Sequence, residues 1–107
     1  MALSVVTLNA NGLCDQSKRA GLLQWFRSLT VVPDIVCLQE CHYSSDLESQ
    51  TWFRAYGYQC ALAAGSTKAR GCIILFRPTL SLVRSWSEPD GRFLMCEFGF
   101  CNQVFRV

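Results

Sequence analysis

Residues 33–42 read PDIVCLQECH and contain an unbroken apolar run, Ile35–Leu38, that is followed by Gln39 and Glu40. Such a run, without alternation of apolar and polar residues, is typical of a strand buried on both faces of a sheet. A carboxylate at the end of a buried strand costs desolvation free energy unless a cation or a hydrogen-bond donor meets it. Ligands of open α/β sheets bind beyond the carboxyl ends of the strands. Glu40 is therefore a candidate metal ligand, against the alternative of a solvated strand end.

Two further elements are predicted ahead of this stretch. The β-branched run Leu3–Leu8 predicts the first strand, and the turn residues 9–12 (NANG) close it. Asp15 or Ser17 is the expected N-cap of a helix over Lys18–Leu29. The polar side of this helix is predicted to carry Lys18, Arg19, Gln24 and Arg27.

The order strand, helix, strand favours a right-handed βαβ unit in which the two strands are parallel. The second strand of this unit is predicted over Ile35–Glu40. Neighbouring strands lie about 5 Å apart, so their carboxyl ends meet at one edge of the sheet. We therefore expect Asn9 and Asn11 at the same edge as Glu40.

The second half of the chain predicts one short helix and several strands. The predicted elements are a helix over Leu47–Ala55 and strands over Tyr58–Ala63, Cys72–Phe76, Leu80–Trp86 and within Arg92–Val107. Gly99 predicts a bulge or a turn in the last of these regions. The basic loop 65–71 brings Lys68 and Arg70, which either meet phosphates or belong to an ordinary polar connection.

Composition limits the class of protein. The chain has 107 residues, enough for one domain, and is 50% apolar with a net charge of +2, too small to indicate nucleic acid by itself. Seven cysteines without a C-x-x-C pair, and a single His, predict reduced core thiols rather than a zinc site. No signal peptide or membrane span is visible, and a nuclear or cytoplasmic protein is expected rather than a secreted one.

Four motifs carry a resemblance to a known family. They are Thr7–Leu13 (TLNANGL), Leu38–His42 (LQECH), Gly71–Leu75 (GCIIL) and Gly91–Met95 (GRFLM). In this order and spacing the chain resembles the endonuclease/exonuclease/phosphatase superfamily, whose members are DNase I-like. Within it, the chain is most similar to the endonuclease domain of non-LTR (LINE-type) retrotransposon reverse-transcriptase proteins.

The resemblance implies an α/β (α+β) fold, a four-layer α-β-β-α sandwich of two sheets with helices outside. The family's later motifs, an active-site Tyr, an Asp-x-Asn pair and a C-terminal Asp-His, do not occur in this sequence. Residues 1–107 are therefore expected to be the N-terminal portion of one such domain, with the second sheet largely missing. One apolar sheet face and one strand edge are then expected to lack a cover.

The resemblance also implies site residues. Asn9 and Glu40 correspond to catalytic residues, Asn9 orienting the phosphate, while Glu40 and Asn11 correspond to metal-binding positions. The implied cofactor is Mg²⁺, with Mn²⁺ as a substitute, and Mg²⁺ prefers the oxygen ligands that these side chains offer. His42 is expected to be a solvated loop residue. Packing is the expected role of Trp25, Trp52 and Trp86.

The predicted function is that of a truncated Mg²⁺-dependent endonuclease of a retroelement, which nicks DNA phosphodiester bonds in the intact domain and is inactive as this fragment. DNA is the expected partner. One alternative is a phosphomonoesterase of the same superfamily, similar to inositol and lipid phosphatases. Another is a non-catalytic remnant that associates through its open sheet.

Overall fold

The computed structural model describes residues 3–42, 52–63 and 70–107, which form two β-sheets and one α-helix. In chain order the elements are β1 (Val5–Asn9), α1 (Gln16–Ser28), β2 (Ile35–Gln39), β3 (Gln59–Ala63), β4 (Cys72–Phe76), β5 (Ser81–Ser87), β6 (Leu94–Phe100) and β7 (Gln103–Arg106). A 3₁₀ turn, Arg54–Tyr56, precedes β3. Most of the helix predicted at Leu47–Ala55 lies outside the described residues.

The first sheet has the strand order β1-β2-β4-β3. β1 and β2 are parallel neighbours, with Asn9 opposite Gln39, while β4 runs antiparallel to both β2 and β3. The predicted pairing of the first two strands is therefore confirmed. Because the two strands are parallel, the segments that follow Asn9 and Gln39 leave the sheet at the same edge.

Helix α1 covers one face of this sheet. Asp15 is its N-cap, and the carboxylate accepts a hydrogen bond from the backbone N–H of Ser17 at 2.8 Å. Leu23 and Phe26 are fully buried against the side chains of β2 and β4 that point toward the helix. Burial of this apolar stripe, more than intrinsic helix propensity, holds a helix of this length in place.

Arg19 departs from the prediction that it lies on the wet side of the helix. Its guanidinium Nη1 is buried and donates to the backbone carbonyls of Leu13 at 2.7 Å and of Cys14 at 3.0 Å. Those carbonyls belong to the segment between β1 and α1. They lie outside the β-sheet ladders, so they need hydrogen-bond donors from elsewhere in the chain. Arg19 therefore fixes the chain just after the predicted site residues Asn9 and Asn11.

The second sheet is an antiparallel meander of β5, β6 and β7 that packs on the other face of the first sheet. Phe98 of β6 lies at the centre of this interface, with its ring centroid 5.0 Å from that of Phe76 and 5.9 Å from that of Phe105. These three strands are what the chain contributes to the sheet that we expected to be largely missing. They leave β1 uncovered on this side, where Val5 is 52% exposed and Thr7 is exposed too.

Gly99 is neither a bulge nor a turn, contrary to the prediction. It lies inside β6, opposite Ser81 on one side and Val104 on the other. The turn to β7 is made by Cys101 and Asn102, both with positive φ (52° and 63°), as a two-residue hairpin turn requires.

All seven cysteines lie within the described residues; Cys41 and Cys96 are buried, whereas Cys14 and Cys101 are exposed rather than in the core as predicted. Among the described residues, no helix combines the length and the apolarity needed to cross a bilayer.

Candidate active site at the carboxyl ends of β1 and β2

The pairing of β1 with β2 continues past the ends of the two strands. The backbone N–H of Ala10 donates to the carbonyl of Gln39 at 2.8 Å, and that of Gly12 donates to Glu40 at 2.8 Å. Residues 9–12 are therefore held alongside Glu40 by main-chain hydrogen bonds. This brings the backbones of all three predicted site residues together at one edge, as expected from the sequence.

A third segment closes the edge from the other side. The backbone N–H groups of Cys41 and His42 donate to the carbonyls of Gly71 at 3.0 Å and Arg70 at 2.8 Å, respectively. Gly71 in turn donates to Gly91, in the turn before β6, at 3.1 Å. Chain segments from both sheets thus meet around Glu40.

Left-handed backbone conformations concentrate at this edge. Four residues other than glycine have positive φ here: Asn11 (50°), Glu40 (53°), His42 (54°) and Arg70 (65°). Each such conformation costs about 1–3 kcal/mol and persists only where the surrounding structure enforces it. The concentration of strained residues around one carboxylate is typical of a functional site.

Glu40 carries the exposed carboxylate of this edge. Its Oε2 accepts hydrogen bonds from His42 Nε2 at 2.9 Å and from the backbone N–H of Arg70 at 3.4 Å. The hydrogen bond from His42, followed by that from Arg70, holds the pKa of Glu40 below its usual range, so the group is ionised at neutral pH. The side chain is 48% exposed, and within the described residues Oε1 has no hydrogen-bond partner.

His42 differs from the prediction of a solvated loop residue. Its side chain is only 21% exposed and points back to the carboxylate of Glu40. Sequence reasoning missed this contact because it depends on the left-handed conformation of both residues, which no local pattern indicates. The signal available in the sequence was the spacing alone, a His two positions after a strand-terminal Glu.

Asn9 and Asn11 are linked to each other. The side-chain Oδ1 of Asn9 accepts from the backbone N–H of Asn11 at 3.0 Å, which is the usual role of Asn in a turn. The backbone carbonyl of Asn11 accepts from Lys18 Nζ at 3.0 Å. Both side chains are exposed, so their amide groups are accessible at the edge beside Glu40.

The predicted site residues Glu40, Asn9 and Asn11 offer one carboxylate and two amides, which suits a hard cation such as Mg²⁺ or Mn²⁺ that keeps several waters. Within the described residues, no group of three or more His, Cys, Asp or Glu side chains could hold a metal. Thiolate ligation is disfavoured because burial raises the pKa of the neighbouring Cys41 to about 12. The residues therefore fit a weakly held Mg²⁺ and do not fit zinc.

Two guanidinium groups flank the same edge. Arg70 Nη1 lies 3.7 Å and Arg92 Nε 3.3 Å from Oδ2 of Asp90, which they share. Since two cations face one carboxylate, the group retains a net positive charge, and all three side chains are more than one-third exposed. Lys68, for which the sequence allowed either a phosphate contact or an ordinary polar loop, lies outside the described residues.

The chain is similar to proteins of known structure. It matches D. rerio TDP2 complexed with a single-strand DNA product with a TM-score of 0.67 and 22% identity, over 97% of this chain and 43% of that one. An AP endonuclease from Archaeoglobus fulgidus matches with a TM-score of 0.59 and 21% identity, over 94% and 38% of the two chains. ANGEL2, a 2′,3′-cyclic phosphatase, matches with a TM-score of 0.55 and 17% identity, over 90% and 36%.

The chain thus spans between 36% and 43% of the length of these three proteins. At these identities the likeness shows the fold, and the predicted fragment of a DNase I-like sandwich is confirmed. The sequence model of the Endonuclease/Exonuclease/phosphatase family matches residues 6–106, which is nearly the whole chain. From its sequence and its fold, the chain belongs to the endonuclease/exonuclease/phosphatase family.

Proposed function

We propose that this chain carries the metal-binding edge of a Mg²⁺-dependent endonuclease domain of a retroelement, with Glu40 as the carboxylate ligand. The observation that carries the proposal is the ionised, half-exposed Glu40 at the carboxyl ends of two parallel strands, whose Oε1 accepts no hydrogen bond from the described residues. Members of the family generally depend on a divalent metal. The bound cation supplies Lewis acidity, which stabilises negative charge on a phosphate under attack.

The neighbouring residues have distinct roles in this proposal. Asn11 contributes an amide oxygen close to the cation, and Asn9 fixes the turn that presents Asn11 and donates to the phosphate through its amide nitrogen. The two guanidinium groups of Arg70 and Arg92 provide a positive flank for the phosphate backbone, which dominates the affinity of proteins for nucleic acid.

DNA is the proposed substrate, and a phosphodiester is the bond that is cut. The motifs LQECH and GRFLM resemble the retrotransposon branch, in which the nick leaves a 3′-hydroxyl for reverse transcription. One structurally similar protein is complexed with a single-strand DNA product, and another is an AP endonuclease. A cyclic phosphatase is also similar, so a phosphomonoester panel belongs among the substrates that are assayed.

The 107-residue chain is proposed to bind the cation without turning over DNA. General acid–base chemistry contributes about 10²–10⁴-fold to such reactions, and the Asp-His motif that supplies it in the family does not occur in residues 1–107. Cation binding, which needs only the described edge, is therefore the sharper test.

The test is a titration of the purified chain with Mn²⁺, followed by electron paramagnetic resonance, together with a nicking assay on supercoiled plasmid DNA. We expect one weak site whose dissociation constant rises at least tenfold in Glu40→Gln and is unchanged in Glu88→Gln, an exposed carboxylate before the turn to β6. Equal affinity in Glu40→Gln would contradict the metal role. Nicking that Glu40→Ala abolishes would contradict the proposed inactivity of the chain.

A further inference from the structure

We propose that His42 is a positioning residue for the metal-binding carboxylate: its Nε2–H holds Oε2 of Glu40 so that Oε1 is presented to the cation. This inference rests on the proposed metal role of Glu40 and adds to it a residue that neither the motif resemblance nor the family match assigns. Three observations carry it, namely the contact itself, the way the ring is held, and the backbone conformation of both residues.

The contact has a defined direction. His42 Nε2 lies 2.9 Å from Oε2 of Glu40. An ionised carboxylate only accepts hydrogen bonds, so the proton of this bond must be on Nε2 of the imidazole. A hydrogen bond to an ionised acceptor is stronger than one between neutral groups. The carboxylate therefore has a preferred orientation before any cation arrives.

His42 is held by three segments, at its backbone by Arg70 and Cys14 and at its ring by Gly12. Its backbone N–H donates to the carbonyl of Arg70 at 2.8 Å, and its own carbonyl accepts from the thiol of Cys14 at 2.8 Å. A Cβ placed on Gly12 would lie 3.4 Å from Nδ1, so the ring packs directly over that glycine. A donor fixed in this way restricts the carboxylate without losing much freedom of its own.

The backbone explains why these two side chains meet. On an extended strand, the side chains of residues two apart point to the same side and run parallel to each other. Glu40 and His42 are not extended, because both have left-handed φ, 53° and 54°. The chain therefore curls at this point and returns the imidazole to the carboxylate. Non-glycine residues keep this conformation only where the surrounding structure enforces it. The fold around the candidate ligand therefore also enforces the contact between His42 and Glu40.

The contact is expected to affect both the affinity for the cation and the rotamer distribution of Glu40. A half-exposed Glu side chain otherwise samples several rotamers, and fixing it in the binding orientation removes that entropy cost from the binding step. Partners that orient a metal-binding side chain commonly change metal affinity by about 10–100-fold when they are removed. We expect loss of the His42 donor to weaken Mn²⁺ binding by about tenfold, the low end of that range.

The experiment compares two variants that separate the donor from the ring. His42→Phe keeps a planar ring over Gly12 but has no N–H, while His42→Gln carries an amide N–H at about the reach of Nε2. Three-bond scalar couplings report the rotamers of the Glu40 side chain without any metal. Nitrogen–proton correlation spectra of each variant verify that the fold is retained.

We expect Glu40 to occupy a single rotamer in the unsubstituted chain and in His42→Gln, and to average over rotamers in His42→Phe. The Mn²⁺ dissociation constant should rise about tenfold in His42→Phe and return to within about twofold in His42→Gln. Rotamer averaging in the unsubstituted chain would overturn the proposal. So would His42→Phe with unchanged couplings and unchanged affinity.

The two proposals fail in different ways. If Glu40→Gln loses affinity for Mn²⁺ while His42→Phe does not, the metal role of Glu40 stands and the positioning role of His42 is wrong. If Glu40→Gln leaves the affinity unchanged, the metal role is wrong and the positioning role loses its purpose, whatever the couplings show. If both single variants lose affinity, the double variant that combines Glu40→Gln with His42→Phe decides. An affinity for Mn²⁺ lower than that of Glu40→Gln alone would show that His42 does not act through Glu40, and would overturn the positioning role.

Discussion

Gly12 lies under the imidazole of His42 with a φ of +93°, so a side chain there meets a backbone obstacle. The left-handed backbone costs an L-residue about 1–2 kcal/mol. The new Cβ would lie 3.4 Å from Nδ1, which is van der Waals contact with the ring. We expect Gly12→Ala to lower the free energy of unfolding by about 1–2 kcal/mol, measured by urea denaturation.

Two other glycines serve as matched controls for this substitution. Gly57 also has positive φ, +83°, but a Cβ there meets nothing within 4 Å, so Gly57→Ala reports the backbone cost alone. Gly21 lies in α1 with open space around it, and Gly21→Ala should raise stability by up to about 1 kcal/mol. We expect similar losses in Gly12→Ala and Gly57→Ala, and a much larger loss in Gly12→Ala would show that the ring of His42 does not accommodate a Cβ.

At the level of single residues, the sequence predicted some site features and missed others for a physical reason. Glu40 was predicted because an apolar run that ends on a carboxylate is visible in the sequence. The role of His42 was not, since its contact with Glu40 depends on two left-handed residues that sequence patterns do not indicate. Arg19 was misplaced for a related reason: helical spacing predicts which side it lies on but not the carbonyls that draw its guanidinium inward.

Among the elements, β6 carries a nearly buried charge. Glu97 is 9% exposed at its side chain and lies between Arg106, at 3.0 Å from Nε to Oε2, and Arg84, at 3.4 Å from Nε to Oε1. The register places these residues on neighbouring strands, so the cluster ties β5 and β7 to β6. The hydrogen bond from Arg106, with the charge of Arg84, lowers the pKa of Glu97.

This arrangement predicts a pH dependence with a definite sign. A carboxyl whose pKa is lower in the folded state adds stability above its unfolded pKa, near 4.5, and loses that contribution as the pH falls through the folded value. Glu97→Gln should therefore lower the urea midpoint at pH 7, and the difference from the unsubstituted chain should shrink below about pH 4.5. Glu88→Gln is the control, and a Glu97→Gln difference that did not shrink as the pH falls below about 4.5 would argue against the pairing.

The strands show where sequence patterns determine boundaries. Strand β4 was predicted with its observed limits, Cys72–Phe76, because Gly71 and Pro78 bound an apolar run. The limits of the last hairpin were not predicted, because Gly99 lies inside β6 and the turn is formed by Cys101 and Asn102. Cys has no particular preference for positive φ, so the sequence offers no signal there beyond Asn102.

For the molecule as a whole, a substitution at the interface between the two sheets tests whether the sheets share one core. Phe98 is fully buried there and contacts the rings of Phe76 and Phe105. We expect Phe98→Ala to lower the free energy of unfolding by about 3–5 kcal/mol, because it removes the ring and leaves a cavity between the sheets.

The measurement for Phe98→Ala is urea denaturation followed by tryptophan fluorescence and by circular dichroism. Coincident transitions are expected if the two sheets unfold together. Phe93→Ala is the matched control, since that ring is 46% exposed and its loss should change stability by no more than about 0.5 kcal/mol. Similar losses in the two variants would mean that the sheets do not share a core.

Within the described residues, strand β1 has β2 as its one neighbour in the sheet, with α1 packed on one of its faces and the other face exposed at Val5 and Thr7. A strand supported in this way opens at a lower free energy than the rest of the sandwich. Each opening separates the turn of Asn9 from Glu40, so the candidate site disassembles and re-forms in the native state. We therefore expect the backbone amides of β1 to exchange with solvent sooner than those of β4, and the proposed cation site predicts that added Mn²⁺ slows this exchange by mass action.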